Sequence, residues 1–274
     1  MTTPPLHRAR VLPGPLAGVH GLHLHSARGF GRHWHDSFGF GVMDEGAHRT
    51  ASGRGPVLAQ AGQIVTVNPG EVHDGVPLGG QPRRWRMVHL APDTVAALVG
   101  DGDHEFTRPV IDDPLLQRAV ARLFGQWPAV SVGGPAEESG SWEEALTEVC
   151  GLLLVRHGLR RVTEGEDARL AWVRECLLDR LDQPPTLDEL ARLAGLTRFQ
   201  LVRRFARAHG LPPFAWLQQH RLSRARALMD QGLPLSEVAL ACGYTDQSHL
   251  NRHFMRSFGF TPGAWKRAGQ RSLQ

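Results

Sequence analysis

The strongest hydrophobic rhythm in this chain occurs twice. Between positions 187 and 205, apolar residues recur three and four apart, at Leu187, Leu190, Ala191 and Ala194 and then at Leu201 and Phe205. Between 235 and 254 the rhythm returns at Leu235, Val238, Ala239 and Cys242, then at Leu250 and Phe254. Such spacing lays one apolar stripe along a helix, so each stretch predicts a short helix, a break and a second helix. Gly195 and Gly243 fall at the breaks, where a turn at positive φ suits glycine. Thr197, and Thr245 or Asp246, stand where the second helices need N-caps. Ala191 and Gly195 align with Ala239 and Gly243 at an offset of 48, while Phe205, Gly210, Pro213 and Trp216 align with Phe254, Gly259, Pro262 and Trp265 at an offset of 49. One extra residue therefore lies just after the second glycine, and the stretch YTDQSHLNRHFMRSFGFTPGAW is the second half of a duplicated unit. Between the copies, Pro213–Asp230 predicts one long helix, with Trp216, Leu217, Leu222, Ala225, Leu228 and Met229 as its buried stripe.

The N-terminal half has another pattern. Residues 20–92 are rich in Gly and Pro, and the short pieces FGFGVMD, PVLAQAG, QIVTVNP and RWRMVHLAP predict strands. Helical spacing resumes over 113–158. DPLLQRAVARLFGQW carries a stripe at Leu115, Leu116, Ala119, Val120 and Leu123, and SWEEALTEVCGLLLVRHG one at Leu146, Val149, Leu153 and Leu154. The segment joining them, SVGGPAEESG, is a loop by composition. Polar RVTEGEDA reads as an interdomain linker. The expected architecture is multidomain: an all-β domain over 1–110 with appended helices over 111–160, a linker over 161–168, and an all-α domain over 169–274.

At 274 residues the chain is long enough for two cores. No run approaches the length of about 18–20 apolar residues that a membrane span needs. The start, MTTPPLHRARVLPG, lacks a continuous apolar stretch, so neither a signal peptide nor a membrane partner is predicted and a cytoplasmic location is expected. Cys150, Cys176 and Cys242 are widely spaced in apolar surroundings and read as reduced packing residues.

The net charge of +4 is unevenly spread, for residues 168–274 hold sixteen Lys and Arg against eight Asp and Glu, and the remainder fifteen against nineteen. A basic C-terminal third suggests a polyanion-binding module, although charge alone equally fits a solvated face. The outward faces of the second helices add chemistry. Copy one presents Arg198, Phe199, Val202 and Arg203; copy two presents Gln247, Ser248, Asn251 and Arg252. Arg and Gln pair with guanine and adenine edges in the major groove, and Phe and Val touch thymine methyls. Two helix-turn-helix copies with polar second-helix faces thus point to double-stranded DNA; a protein-interaction bundle is the alternative. Arg207 and Arg256 lie near the far ends of these helices, and Arg221, Arg224 and Arg226 on the connecting helix, as expected phosphate or surface residues.

Residues 170–268, from LAWVRECLLDRL through AWKRA, resemble the DNA-binding domain of the AraC/XylS family of bacterial transcription regulators. The second copy carries the signature L-x-E-V-A-x-x-C-G-Y-x-D-Q-S-x-L-x-R-x-F-x-R-x-F-G-x-T-P. The resemblance implies a seven-helix domain that sets two recognition helices in successive major grooves. Base contacts would then fall on Phe199, Val202 and Arg203, and on Gln247, Ser248 and Arg252. Arg204 departs from the pattern, since the family usually keeps that position apolar; it is expected to pass Phe205 or reach a phosphate.

HWHD (33–36) and PGEVHDG (69–75), with the glycine at 62 and the Pro-Gly at 69–70, resemble the halves of a cupin, a small β-barrel that is the usual sensory domain of that family. In metal-binding cupins an H-x-H pair and a distant His meet inside the barrel, and His33, His35 and His73 match them, with Asp44 or Glu45 as an oxygen ligand. The glutamate spacing after H-x-H is not met, and regulatory cupins of this kind commonly keep the histidines without metal. His33, His35 and His73 are therefore expected to line an effector pocket, with Trp34, Trp85 and His89 as candidate walls and with no metal, cofactor or catalytic residue. In this family the helical pair at 111–160 commonly mediates dimerisation, so a homodimer is expected. The reading is a sequence-specific transcription regulator and not an enzyme, with DNA, a small-molecule effector and, for an activator, RNA polymerase as partners. The alternative is a metal-dependent cupin enzyme carrying a DNA-binding tail.

Overall fold

The computed structural model describes residues 6–52, 55–100, 102–127, 136–160 and 167–270. The predicted linker lies outside these residues up to position 166. The chain divides into two compact units, one built chiefly from the residues up to 162, the other chiefly from residues 163–266. Among the described residues no helix is long and apolar enough to cross a membrane.

In the first unit, with strands numbered along the chain, an antiparallel sheet has the order β1 (His7–Pro13), β2 (Val19–Ser26), β9 (Arg83–Leu90), β4 (Phe38–Glu45), β7 (Ile64–Val67) and β11 (Val110–Ile111). A second sheet runs β3 (Phe30–His33), β8 (His73–Pro77), β5 (Ala47–Ser52) and β6 (Gly55–Gln60), and β10 (His104–Phe106) pairs with β12 (Gly158–Arg160). This is the strand-rich, cupin-like domain the sequence predicts. Three helices accompany it, α1 (Pro92–Val99), α2 (Pro114–Gln126) and α3 (Ala136–His157). The last residues of the expected loop, 136–140, thus belong to the first turns of α3.

Strand alternation divides the first sheet into two faces. The outer face carries Val19, Phe38, Phe40, Val88 and Leu90 at one end, and these share a core with Leu116, Val120 and Leu123 of α2 and Trp142, Leu146, Val149 and Leu153 of α3. Each such side chain contributes about 1.5–3 kcal/mol by leaving water. The predicted stripes of both helices are thus used to cover the sheet. Leu115 is the exception, 40% exposed at the start of α2. Asp113 caps α2 by accepting from the N–H groups of Leu115 and Leu116, and its carboxylate also takes Arg156 at 2.9 Å and His157 at 2.8 Å. Those contacts, His157 foremost, pull its pKa down to about 2 and tie the end of α3 to the start of α2.

On the inner face the two sheets meet around Arg83, which is almost wholly buried. Its guanidinium donates to the carbonyls of Ser26, Arg28 and Gly75 at 3.0–3.2 Å and to His48 Nδ1 at 3.3 Å, and lies 4.6 Å over the Trp85 ring. Burial lowers its pKa to about 10. Carbonyl dipoles and a ring face compensate the buried charge. Trp85 packs against Arg83, Phe30 and His48.

The second unit is all helical: α4 (Ala168–Asp179), α5 (Leu187–Leu193), α6 (Arg198–His209), α7 (Pro213–Asp230), α8 (Leu235–Ala241), α9 (Gln247–Phe258) and α10 (Pro262–Gln270). Leu190, Ala191, Leu201 and Phe205 of the first copy are buried, as are Val238, Ala239, Leu250 and Phe254 of the second. Thr197 forms a capping box with Gln200 at the start of α6; α9 is capped by Asp246, not Thr245. Gly195 and Gly243 take φ of +62° and +73°, the left-handed conformation their turns require. Two arginines of α7 differ from expectation. Arg221 donates to the Leu181 and Asp182 carbonyls at 2.7 and 3.1 Å, and Arg226 stacks 4.6 Å over Trp265, so both hold the fold. Leu228 is only half-buried. All three cysteines are free thiols; Cys150 and Cys242 are buried and Cys176 half-buried.

Candidate functional site

The recognition surface follows from how α6 and α9 are packed. Each spends its i, i+4 pair, Leu201 with Phe205 and Leu250 with Phe254, on the core, and the remaining faces point outward. On α6, Arg198, Phe199 and Arg203 are exposed and Val202 is half-buried. Phe199 is 74% exposed. Arg198 makes a surface ion pair with Asp188 of α5 at 3.1 Å, both side chains more than half exposed. Such a pair is weak enough for a phosphate or a base edge to displace. Arg204 is exposed too.

On α9, Gln247, Ser248 and Arg252 are exposed and available at one face. Asn251 is half-buried with its Oδ1 turned inward, so it contributes less to that surface than its spacing predicts. The helix is anchored by groups that sequence reasoning overlooked. Gln218 of α7 donates to the Tyr244 hydroxyl at 2.5 Å, and the His249 ring bridges Thr245 at 3.1 Å and His253 at 3.1 Å. Trp265 Nε1 donates to Asp230 at 2.8 Å, and Lys266 Nζ to the carbonyls of Gly232 and Leu233 at 2.9 and 2.7 Å. The only advance sign of these contacts was the YxxxxH and AWK lettering, which does not name a partner.

The three predicted histidines converge. His33 ends β3, while His35 lies beyond the strand, so the pair is joined by an irregular turn rather than by two positions of one strand. One ligand atom from each of His33, His35 and His73 falls within 4.8 Å of the others. The His35 ring lies 5.1 Å from His73 and 5.0 Å from His89, and His89 stacks on His20 at 4.9 Å. His73 Nδ1 donates to the Glu71 carbonyl at 2.9 Å, which places its lone pair on Nε2. Burial, with His89 and His48 adding to it, pushes the His73 pKa down to about 4, so the ring is neutral at pH 7.

Three imidazoles are the donor set of a borderline divalent ion. Nitrogens on one zinc-sized ion stand roughly 3.3 Å apart, given bonds of about 2.0–2.1 Å, so these rings would have to draw together to hold one. Neither carboxylate expected as the oxygen ligand takes part. Asp44 is bidentate to Arg86 at 2.7–3.2 Å, and Glu45 pairs with Arg84 at 2.5 Å. His89 lies beside the histidine cluster, with its Nδ1 3.2 Å from Ser37 Oγ. Trp34 is buried.

Known proteins share both halves of this arrangement. The AraC-like ligand binding domain matches residues 17–149 and a helix-turn-helix domain matches residues 190–268. The chain is 30% identical to the RCS-specific HTH-type transcriptional activator RclR of Escherichia coli, over 80% of this chain and 83% of that protein. It is 24% identical to the uncharacterized HTH-type transcriptional regulator YbfI of Bacillus subtilis, over 81% of each. The crystal structure of wild-type ToxT from Vibrio cholerae with bound unsaturated fatty acid covers 97% of this chain and 96% of its own, with a TM-score of 0.52 at 11% identity, a likeness of fold.

Proposed function

This chain belongs to the AraC/XylS family of DNA-binding transcription regulators, and on that premise we propose how its residues divide the work. Arg198, Phe199, Val202 and Arg203 of α6 and Gln247, Ser248, Asn251 and Arg252 of α9 form two reading heads, with Phe199, Arg203, Gln247 and Arg252 reaching base edges. The observation that carries this reading is the duplication itself: two helices of the same kind, each with its apolar stripe buried and its polar face open. A guanidinium at Arg252 pairs bidentately with guanine O6 and N7, and Phe199 covers a thymine methyl.

The histidine-lined interior binds a small-molecule effector through His33, His35 and His73. Binding there acts on transcription only so far as the effector prefers one conformation of the regulator. The protein works in the cytoplasm without catalysing a reaction. It acts as a homodimer and, in activating a promoter, engages RNA polymerase. RclR, a relative, is named an activator, which supports that choice.

Footprinting of a 163–274 fragment tests the first part. Two heads in one polypeptide protect a single site of roughly 15–20 bp, covering two major-groove segments about 10 bp apart. Specific binding that needs two fragments, with one head on each half-site, contradicts the proposal. For the second part, the paired substitutions His35→Ala and His73→Ala abolish the response to an effector identified by screening and leave effector-free DNA affinity within about two-fold. A response that survives both removes the histidines from the pocket.

A further inference from the structure

The outer face of the first sheet has two ends with opposite character. Where Val19, Gly21, Val88 and Leu90 lie, α2 and α3 cover it; a side chain at Gly21 would meet the Trp127 ring at 2.9 Å. Cover stops at Phe124. Beyond it, strand register assembles a basic ladder. Arg8 faces His25, which faces Arg84, and one rung along Arg10 faces His23, which faces Arg86. Alternation puts both rungs on the same side, so six basic side chains from three strands share a patch about 10 Å wide. They line an open cleft of about 470 Å³. That volume matches a small-molecule site.

The cations in this cleft are unequally compensated. Asp44 neutralises Arg86 with a bidentate fork, and Glu45 pairs with Arg84. Among the described residues no ion pair involves Arg8 or Arg10, both exposed on the edge strand β1. Arg86 is further fixed by lying 4.6 Å over the Phe124 ring, so its guanidinium is positioned before any ligand arrives. His23 packs edge-on against the same ring, and its Nε2 is buried without a hydrogen-bond partner. Burial and the nearby Arg86 and Arg10 lower the His23 pKa, against the pull of Asp44. The wall is thus electropositive, partly preorganised, and includes a buried polar atom awaiting a partner.

We propose that this cleft is a second ligand site, separate from the histidine interior, for a small molecule carrying a doubly charged oxyanion, a phosphate group or a pair of carboxylates. Arg8 and Arg10 supply the free charge, Arg86 the N–H groups that its pair with Asp44 leaves over, and His23 a ring nitrogen at the floor. Arginine forks match the geometry of phosphate and carboxylate oxygens. A nucleic-acid backbone fits less well. Phe124 closes one end of the patch and the Asp44 and Glu45 carboxylates flank its side, which favours a compact anion over a continuous polyanion.

Isothermal titration of the full chain at fixed ionic strength tests this with inorganic phosphate, pyrophosphate and succinate as probes. One-to-one saturable binding by at least one probe is expected, and which probe binds separates the phosphate source from the dicarboxylate. The double variant R8Q/R10Q is expected to weaken that binding at least about ten-fold, through loss of charge-assisted hydrogen bonds. Asp44→Asn frees the Arg86 fork and is expected to tighten it. Because the two changes have opposite signs, loss of folding cannot imitate the pair of results. The absence of saturable binding by all three probes, or binding unmoved by R8Q/R10Q, overturns the proposal. So does a fall in duplex DNA affinity with a shallower salt dependence in R8Q/R10Q, which would make the patch a DNA-backbone contact.

Discussion

In the first helix-turn-helix copy, nothing lies within 4 Å of where a Cβ would sit on the turn glycine, Gly195; in the second, a Cβ on Gly243 would meet the Asp182 backbone and Arg221 at 2.7–2.8 Å. The two glycines do the same conformational work in different surroundings. Copy one is held mainly by packing, with Phe205 against Trp216 at 5.7 Å. Copy two adds polar clamps to α7 and its end, through Gln218 with Tyr244 and Asp230 with Trp265. Duplication therefore preserved the core and the turn while the attachment of each reading head diverged. The long helix α7 is bonded to the turn before α9 and to α10, and meets α6 through apolar contact.

Core truncation is the largest way to probe this symmetry. Phe205→Ala and Phe254→Ala are each expected to cost about 3–5 kcal/mol, because both rings are fully buried at matching positions. Urea unfolding of the helical unit measures both, and a marked inequality would mean the copies do not share one kind of core. Next in size is the glycine contrast. Gly195→Ala meets only left-handed strain, about 1–2 kcal/mol. Gly243→Ala adds a clash with backbone that cannot move aside, for a total of about 3 kcal/mol or more. Equal losses in the same unfolding experiment would remove the distinction between the two turns.

Reading and holding are separated by a smaller effect. Arg252→Ala is expected to cost about 1–3 kcal/mol of discrimination at one or two base pairs, mainly on the cognate site. Arg256→Ala, near the end of α9, should weaken cognate and random DNA alike and lower the salt slope by about one unit. Binding to both DNAs over a salt series distinguishes them, and equal losses on both DNAs for Arg252→Ala would make it a phosphate clamp.

The smallest effect depends on pH. Burial first, then His249 and the nearby arginines, lower the pKa of His253 below 6.5. The unfolded chain therefore takes up a proton before the folded one does, so folding stability falls as pH drops below the ordinary histidine value. The aligned residue in copy one is Arg204, which does not titrate there. His253→Gln is expected to flatten the pH dependence of unfolding between about pH 5 and 7, around the ordinary histidine value, while Arg204→Gln leaves it unchanged.

The helical half was legible because its information is local. Caps, turn glycines and i, i+4 stripes are written within a dozen residues, and Thr197, Gly195, Gly243, Leu201, Phe205, Leu250 and Phe254 took the places expected. Partners fixed by register were not legible. Asp44 looked available to the histidines, yet the β-bulge between Met43 and Glu45 leaves it without a strand partner and its carboxylate goes to Arg86. Arg83 gave no sign of being buried, because two of the three carbonyls that compensate it, those of Ser26 and Arg28, lie more than fifty residues before it. Arg221 and Arg226 read as surface cations for the same reason; what they hold is not on their own helix. The histidines did converge as their motifs implied, and His89, named beforehand as a candidate wall, lies 5.0 Å from the His35 ring.

The central claim is that α6 and α9, held at a fixed separation by α7, read one site together. Inserting base pairs between the two contacted segments of a mapped binding site measures this directly. An insertion of about 5 bp turns the second segment to the opposite face of the duplex and should reduce affinity to that of random DNA; about 10 bp restores the face but places it beyond the span of one protein and should not recover binding. Specific binding retained after either insertion would mean that the two heads act independently, and would contradict the account.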